Sequence, residues 1–157
     1  MPKSLVIEEP QIIRGNPAVH LSLQGKGGVG KSLIASFLAQ FYKPQGGRAI
    51  CVDTDSVNQT FSRYAALGAQ HLQLMDGNQI DRRRFEALVE DILANDESFI
   101  VDNGASTFIP HWHYMVENAV ASVLREANRR LVIHTVITGG QQTPNSDPTP
   151  RSKHATR

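Results

Sequence analysis

The 157-residue sequence lacks most features of secreted and membrane proteins. It has one cysteine, Cys51, which excludes an intramolecular disulfide framework and fits a reducing compartment. No stretch approaches the roughly 18 consecutive apolar residues of a membrane-spanning helix. Residues 4–9, SLVIEE, are too short and too acidic for a signal peptide. These absences favour a cytoplasmic location without a membrane anchor.

The sequence also lacks an excess of charge of either sign. Its 16 Lys and Arg residues nearly balance 15 Asp and Glu residues, which leaves a formal net charge of +1. This balance gives no support for direct DNA binding. With 40% hydrophobic residues, the chain can bury a core, and we expect one soluble domain.

Strand-like and helix-like segments alternate along residues 18–140. The pattern predicts strands at 18–23, 48–52, 71–75, 98–101 and 131–137, and helices at 31–43, after Asp81, and at 110–128. This alternation predicts an α/β domain with a mostly parallel sheet and helices on both faces. Residues 1–17 are predicted to be an extended arm, and residues 141–157 a disordered polar tail.

The glycine-rich segment QGKGGVGKS, residues 24–32, lies between a predicted strand and a predicted helix. It matches the pattern G-x-x-x-x-G-K-[ST] at Gly25, Gly30, Lys31 and Ser32. In this pattern main-chain N–H groups surround phosphates, the lysine reaches the β- and γ-phosphates, and the serine hydroxyl ligates Mg²⁺. A flexible glycine turn is the structural alternative, but the position between strand and helix favours a nucleotide site.

Carboxylates follow two other predicted strands, at the ends where α/β sheets place their ligands. Asp102 ends the apolar run 99–101 and has the position of an aspartate that holds Mg²⁺ directly or through water. Asp53 and Asp55 end the strand at 48–52, and their charges would repel each other without a metal or hydrogen-bond donors nearby. The alternative for each aspartate is a structural role in a turn or helix cap.

The residues that follow Gly25 make a resemblance to one superfamily more specific. Lys26 at the second loop position, followed by Gly27 and Gly28, resembles the deviant Walker A loop of ParA/MinD ATPases. The resemblance implies a P-loop NTPase-like fold with ATP and Mg²⁺ as cofactors. It also implies an ATP-dependent homodimer in which Lys26 reaches the partner's nucleotide, and a solvated surface lysine is the alternative. The loop residues implied in ATP binding are Gly25, Lys26, Gly27, Gly28, Val29, Gly30, Lys31 and Ser32.

The same resemblance assigns roles to the carboxylates and to two segments that respond to the γ-phosphate. It implies that Asp55 positions or polarises the hydrolytic water and that Asp53 lies closer to the metal. Asn58 and the pair Asn103–Gly104 fall in the switch segments. The implied catalytic residues are Lys26, Lys31 and Asp55, and the implied metal ligands are Ser32, Asp53 and Asp102.

Five stretches resemble a narrower family, the TraL proteins of plasmid conjugation. They are LQGKGGVGKS (23–32), DTDSVNQTF (53–61), LMDG (74–77), VDNGAS (101–106) and LVIHTVITGG (131–140). This resemblance implies an ATP-dependent accessory of conjugative DNA transfer, whose conjugation or partition partner it does not identify. Proteins of that family continue well beyond the TGG segment, so we expect a C-terminally truncated product with a fold that is incomplete at that end.

Three further features are not assigned a function. His111 and His113 are two residues apart, so their side chains would diverge on a helix, and we expect surface or rim histidines rather than metal ligands. Cys51 is expected in the core. Residues 82–84, three consecutive arginines, are expected to form a solvated turn, with a small partner-binding patch as the alternative.

The leading functional prediction is an ATPase that works as a dimerisation switch, with slow, partner-stimulated hydrolysis. Mg-ATP would close the dimer and hydrolysis would reopen it. A small-molecule kinase or ligase of related fold is an alternative, although the sequence shows no acceptor site. A truncated remnant that binds nucleotide without turnover is another. The sequence does not distinguish ATP from GTP.

Overall fold

The computed structural model describes residues 16–43 and 49–137. Their elements, in chain order, are β1 (Ala18–Ser22), α1 (Lys31–Tyr42), β2 (Ala49–Asp53), a 3₁₀ turn (Ala65–Leu67), β3 (Gln70–His71), β4 (Met75–Asp76), β5 (Gln79–Ile80), α2 (Arg82–Ala94), β6 (Ser98–Asp102), α3 (Phe108–Glu117), α4 (Val120–Glu126) and β7 (Arg130–His134). The alternation of strands and helices confirms the predicted α/β class.

The main sheet has the strand order β3-β2-β6-β1-β7, and every pair in it is parallel. Ser22 at the end of β1 and Asp53 at the end of β2 are both aligned with Asp102 at the end of β6. Parallel strands end at the same edge of a sheet, so this register brings three polar side chains to one edge. That edge is where open α/β sheets bind ligands.

Helices cover both faces of the sheet, as predicted. On one face, α1 packs against a core that includes Cys51, which confirms the predicted burial of this residue. On the other face, α2, α3 and α4 pack against the apolar side chains of β1, β2 and β6. The buried members of this second core include Val19, Leu21, Phe85, Leu88, Phe99, Met115 and Leu124.

Helix α2 begins where the sequence predicts, because the Asp81 side chain caps it. The Asp81 carboxylate accepts hydrogen bonds from the backbone N–H groups of Arg83 and Arg84, at 3.1 and 3.3 Å. The Arg84 guanidinium also pairs with this carboxylate at 3.0 Å. All three arginines of residues 82–84 are exposed, in agreement with a solvated segment.

The single helix predicted over residues 110–128 is wrong, because α3 and α4 are separate helices. Ala119 between them has a left-handed backbone, with φ 49° and ψ 34°. At the end of α3 the Tyr114 carbonyl accepts hydrogen bonds from both the backbone N–H of Asn118, at 3.1 Å, and its side chain, at 2.9 Å. The break shifts the buried face, so that Met115 and Val120 both enter the core while Val116 stays exposed.

Two predicted strands are also different in the structure. Residues 71–75 do not form one strand, because the chain leaves the main sheet after His71 and Met75 begins a separate antiparallel hairpin, whose turn includes Gly77 at φ 58°. The strand predicted to reach residue 137 ends at His134. Its last residue is fixed by a hydrogen bond from Leu23 N–H to the His134 carbonyl at 3.1 Å.

The predicted domain boundaries stay predictions. Most of the predicted arm, residues 1–15, and the predicted tail, residues 141–157, lie outside the described residues. Residues 138–140 of the predicted nucleotide-binding domain do as well. Within residues 16–43 and 49–137, no helix combines the length and apolar content needed to cross a membrane.

Candidate functional site

The glycine loop connects β1 to α1 and leaves the first turn of α1 open. Gly28 and Gly30 have φ of 69° and 99°, which L-residues with a β-carbon rarely adopt. Gly30 precedes α1, where no side chain caps the helix and no acidic residue lies in the first turn. The free N–H groups and the positive end of the helix dipole therefore remain available to an anion.

Lys31 directs a buried ammonium group back toward this loop. The residue is only 7% exposed, and its Nζ donates to the Lys26 carbonyl at 3.0 Å. Lysine is rarely buried to this extent without a charged or polar partner. The contact holds the positive charge against the loop rather than in solvent, and the predicted reach of Lys31 to the phosphates stays a prediction.

Asp102 is buried beside the start of α1. Its Oδ1 accepts a hydrogen bond from the Ser22 hydroxyl at 2.5 Å, whereas Oδ2 has no partner among the described residues. The pKa of this carboxyl is raised, mainly because burial disfavours its charged form. The hydroxyls of Ser22 and Ser32 lower this pKa in part. The negative charge of Asp53 raises it further, and the positive charge of Lys31 lowers it. Ser32 and Asp102 are therefore close enough to interact, as the metal-site prediction requires.

Asp53 and Asp55 are surrounded by hydrogen-bond donors. Asp53 is fully buried, and its two oxygens accept the backbone N–H groups of Asp55 at 3.0 Å and Ser62 at 2.8 Å. Asp55 Oδ1 accepts the backbone N–H groups of Val57 and Asn58, at 2.9 and 3.1 Å. These contacts give Asp53 a structural role in the turn, and the prediction that it ligates a metal stays a prediction.

A cavity of about 410 Å³ lies between the glycine loop and the segment after β2. This volume is in the range of small-molecule sites. Its lining brings together several of the residues predicted for the site, namely Gly27, Gly28, Gly30, Lys31, Ser32, Asp55 and Asn58. Leu33, Thr60, Tyr64 and Ala105 complete the wall. The cavity can take an anion on the loop side while the Asp55 carboxylate faces it from the other side.

The remaining predicted residues lie around the cavity rather than in its wall. Lys26 is exposed, and Val29 is buried beneath the loop. A β-carbon at Gly25 would lie 3.1 Å from the Phe108 ring, so glycine lets α3 approach the loop closely. Asp53 and Asp102 lie behind the wall and are almost fully buried.

A buried polar cluster next to Asp102 could not be found from the sequence. The Asn103 side-chain oxygen accepts from Thr107 Oγ1 at 2.8 Å and from Thr54 Oγ1 at 3.2 Å, and it lies 3.1 Å from His111 Nδ1. The expectation that His111 lies at the surface is therefore wrong, since it is only 2% exposed, whereas His113 is exposed. The physical reason is that α3 starts at Phe108 and turns His111 toward Phe85 in the core. Of this cluster, the sequence suggested a role only for Asn103, as part of the switch pair Asn103–Gly104.

Within the described residues, no three or more His, Cys, Asp or Glu side chains come together to hold a metal ion. A cation at this site would therefore depend on other oxygen ligands besides Asp102, such as the Ser32 hydroxyl and phosphate oxygens. Mg²⁺ commonly binds in this way, through one or two carboxylates and substrate phosphates.

Comparison with known proteins gives one consistent similarity. The chain is 50% identical over 123 residues to Protein TraL from Escherichia coli, a match that covers 78% of this chain and 51% of that protein. A second Protein TraL from the same organism is 49% identical over 123 residues, with the same coverage. No family model and no solved structure matches the chain significantly. The chain spans about half the length of the curated relatives it matches, and over that half it is closely similar to TraL.

Proposed function

We propose that the chain binds Mg-ATP in the cavity and hydrolyses it slowly, as a dimerisation switch of the ParA/MinD type. The observation that supports this most strongly is the arrangement at the carboxyl edge of the sheet. Among the described residues, three features lie close together there: a glycine loop that leads into a helix with no capping side chain, a buried lysine, and a buried carboxylate with an unpartnered oxygen. Phosphoryl transfer needs these elements, because it depends mainly on positioning and charge stabilisation.

The residues present fit a magnesium ion. Asp102 Oδ2 is buried without a hydrogen-bond partner among the described residues, and such an orphaned carboxylate oxygen is costly unless a cation or donor satisfies it. Ser32 and Asp102 would hold the ion. When bound, Mg²⁺ would neutralise charge on the phosphate oxygens.

The protein's own groups supply binding and orientation. The N–H groups of the loop and the Lys31 ammonium would bind the β- and γ-phosphates. Asp55 lines the cavity, and its Oδ2 accepts a long hydrogen bond of 3.3 Å from the Asn58 amide. This oxygen is the group best placed to accept a hydrogen bond from an attacking water and orient it.

The surface around the cavity supports a closed form with two chains. Lys26 is exposed and free to extend away from its own loop. Apolar side chains at the rim are also exposed, with Val57 at 69%, Leu33 at 55% and Tyr64 at 52%. Apolar groups around a polar cavity are typical of surfaces that associate. The proposed homodimer would cover them and bring Lys26 to the second nucleotide.

The biological setting proposed is conjugative DNA transfer, as an accessory protein. It rests on the TraL-like stretches and on the 50% identity to Protein TraL. The partner that senses the switch would be a protein of the transfer or partition machinery. The net charge of +1 gives no support for direct DNA binding.

Phosphate release from ATP by the purified chain tests this function. Turnover per chain should rise with protein concentration, because the active form contains two chains. Lys26→Ala should lower turnover about tenfold or more and leave Mg-ATP affinity within about threefold. The matched control is Lys43→Ala, an exposed lysine at the far end of α1 that donates to the Ala66 carbonyl at 2.9 Å. Equal turnover by Lys26→Ala and the unaltered chain would contradict the dimer switch, and no turnover by the unaltered chain would contradict an ATPase.

A further inference from the structure

We infer that His111 is a positioning residue, which orients the Asn103 side chain and thereby fixes the spacing between Asp55 and Asp102. The inference rests on the proposed function, since these two carboxylates are the ones assigned to water orientation and to the metal. His111 itself lies away from the cavity wall, in the second turn of α3.

The Asn103 side chain connects three parts of the site. Its oxygen accepts from Thr54 in the segment after β2 and from Thr107 at the start of α3, and it contacts His111 one turn further along α3. All four residues are at most 2% exposed. Because these contacts are buried, each hydrogen bond in the cluster is electrostatically stronger than it would be in water.

Thr54 connects the Asn103 side chain to the acidic segment, because it contacts Asn103 and lies between Asp53 and Asp55 in the chain. Its backbone N–H and its hydroxyl both donate to the Asp102 carbonyl, at 2.8 and 2.9 Å. The segment that carries Asp55 is therefore bonded to the end of β6, and Asn103 lies at this junction. A rotation of the Asn103 amide would remove the hydrogen bond from Thr54 Oγ1 to Asn103 Oδ1, one of the contacts that join the two segments.

The hydrogen bond from His111 to Asn103 is not explained by the packing of the core. Its ring lies edge-on to Phe85, with 5.1 Å between ring centroids, beside a small apolar cavity. An apolar side chain would satisfy this environment, whereas a buried imidazole is unfavourable unless it is hydrogen-bonded. Burial lowers the pKa of His111 to about 4, so the ring is neutral near pH 7 and can donate from Nδ1 to Asn103.

The orientation of the Asn103 amide depends on the hydrogen bond from His111, because in the described part of the chain the amide nitrogen has no hydrogen-bond partner of its own. Asn103 Nδ2 is buried and has no hydrogen-bond partner among the described residues. The orientation of the side chain is therefore set by what its oxygen accepts. The Thr54 and Thr107 hydroxyls each have a second acceptor, the carbonyls of Asp102 and Gly104. A hydroxyl carries one proton, so among the three groups that contact the Asn103 oxygen, His111 is the donor without such competition.

Three substitutions separate positioning from packing. In His111→Asn, the amide nitrogen can occupy the place of Nδ1 and restore the hydrogen bond, although the smaller side chain leaves a void. In His111→Gln, the amide nitrogen reaches only the place of Nε2. His111→Leu fills the volume with no donor. Packing alone predicts that thermal stability and turnover both fall most in His111→Asn, since a void in a core is destabilising.

Positioning predicts the opposite order for turnover. Turnover should fall about tenfold in His111→Leu and His111→Gln, with Mg-ATP affinity within about threefold, and His111→Asn should keep at least about half of the original rate. In ¹H–¹⁵N spectra of the nucleotide-free protein, the backbone amides of Thr54, Asp55 and Gly104 should shift in His111→Leu and return toward their original positions in His111→Asn.

The spectra separate failure of this inference from failure of the proposed function. Absence of ATP turnover in the unaltered chain overturns the proposed function, while the spectra still decide the role of His111. Unchanged amide positions in His111→Leu overturn the positioning role whatever the chain hydrolyses. Turnover in His111→Leu equal to that of the unaltered chain also overturns it. Recovery in His111→Asn, in both rate and spectrum, supports it.

Discussion

Gly104 shows at the scale of one residue how the two acidic segments are brought together. A β-carbon at this position would lie 2.8 Å from Asp55 Oδ1 and 3.2 Å from the Asp55 backbone Cα. The Asp55 side chain would have to move, and its backbone Cα would have to give by a few tenths of an ångström. Glycine therefore lets the segment after β6 lie closely against the segment after β2, and this contact places Asp55 beside the end of β6.

We expect Gly104→Ala to move Asp55 and lower both stability and Mg-ATP turnover. The free energy of unfolding should fall by about 1–3 kcal/mol, as for other overpacked buried sites. Urea unfolding measures the first effect and phosphate release the second. The matched control is Gly27→Ala, whose β-carbon would meet only Ala105 Cβ at 4.0 Å and should leave the unfolding midpoint unchanged. A Gly104→Ala protein as stable as the unaltered chain would show that the two segments are not in close contact.

Residues in continuous motifs could be predicted from the sequence, but residues joined by the fold could not. The glycine pattern and the strand-end positions are local signals, and the structure places Lys31 beside the loop and Asp102 near Ser32. The binding roles predicted for these residues stay predictions. Thr54 and His111 have no such signal, because their importance comes from the pairing of β2 with β6 and from the packing of α3. The roles predicted for Lys26, Asp55 and Asn58 stay predictions.

At the scale of elements, the break between α3 and α4 decides which side chains reach the core. Periodicity alone favoured one helix, since apolar residues continue at helical spacing across residues 110–128. The helix ends because Ala119 adopts the left-handed region, and the Asn118 side chain adds a hydrogen bond to the Tyr114 carbonyl there; periodicity records neither feature. The five-residue parallel strands were predictable because each is largely apolar in sequence, whereas two-residue strands such as β3 have no distinct pattern.

We expect Ala119→Gly to stabilise the protein, although glycine usually weakens helical regions. An alanine at φ 49° is strained, and glycine adopts this backbone freely. The free energy of unfolding should rise by about 0.5–1 kcal/mol in urea denaturation. Ala87→Gly, at an exposed position inside α2, is the control and should lower it by about 1 kcal/mol. A loss of stability in Ala119→Gly similar to that in Ala87→Gly would mean that α3 and α4 form one continuous helix.

At the scale of the whole molecule, the sheet brings the site together at one edge. The ends of β1, β6 and β2 contribute Ser22, Asp102 and Asp53 in adjacent register, and α1 starts from the same edge. The mostly parallel architecture and the closeness to TraL were predicted from the sequence and are confirmed. The ParA/MinD assignment, the nucleotide and the dimer stay proposals, because they depend on ligands and partners that a single chain does not contain.

The central claim, that this edge binds the triphosphate of ATP with magnesium, is tested most directly by calorimetric titration of ATP with and without Mg²⁺. The unaltered chain should bind ATP more tightly with Mg²⁺. Lys31→Ala should weaken binding about a hundredfold or more, because the lost ammonium is the buried charge beneath the loop. Lys43→Ala should bind like the unaltered chain, and thermal unfolding would verify that each variant is folded. Equal affinity of Lys31→Ala and the unaltered chain for Mg-ATP would contradict the claim.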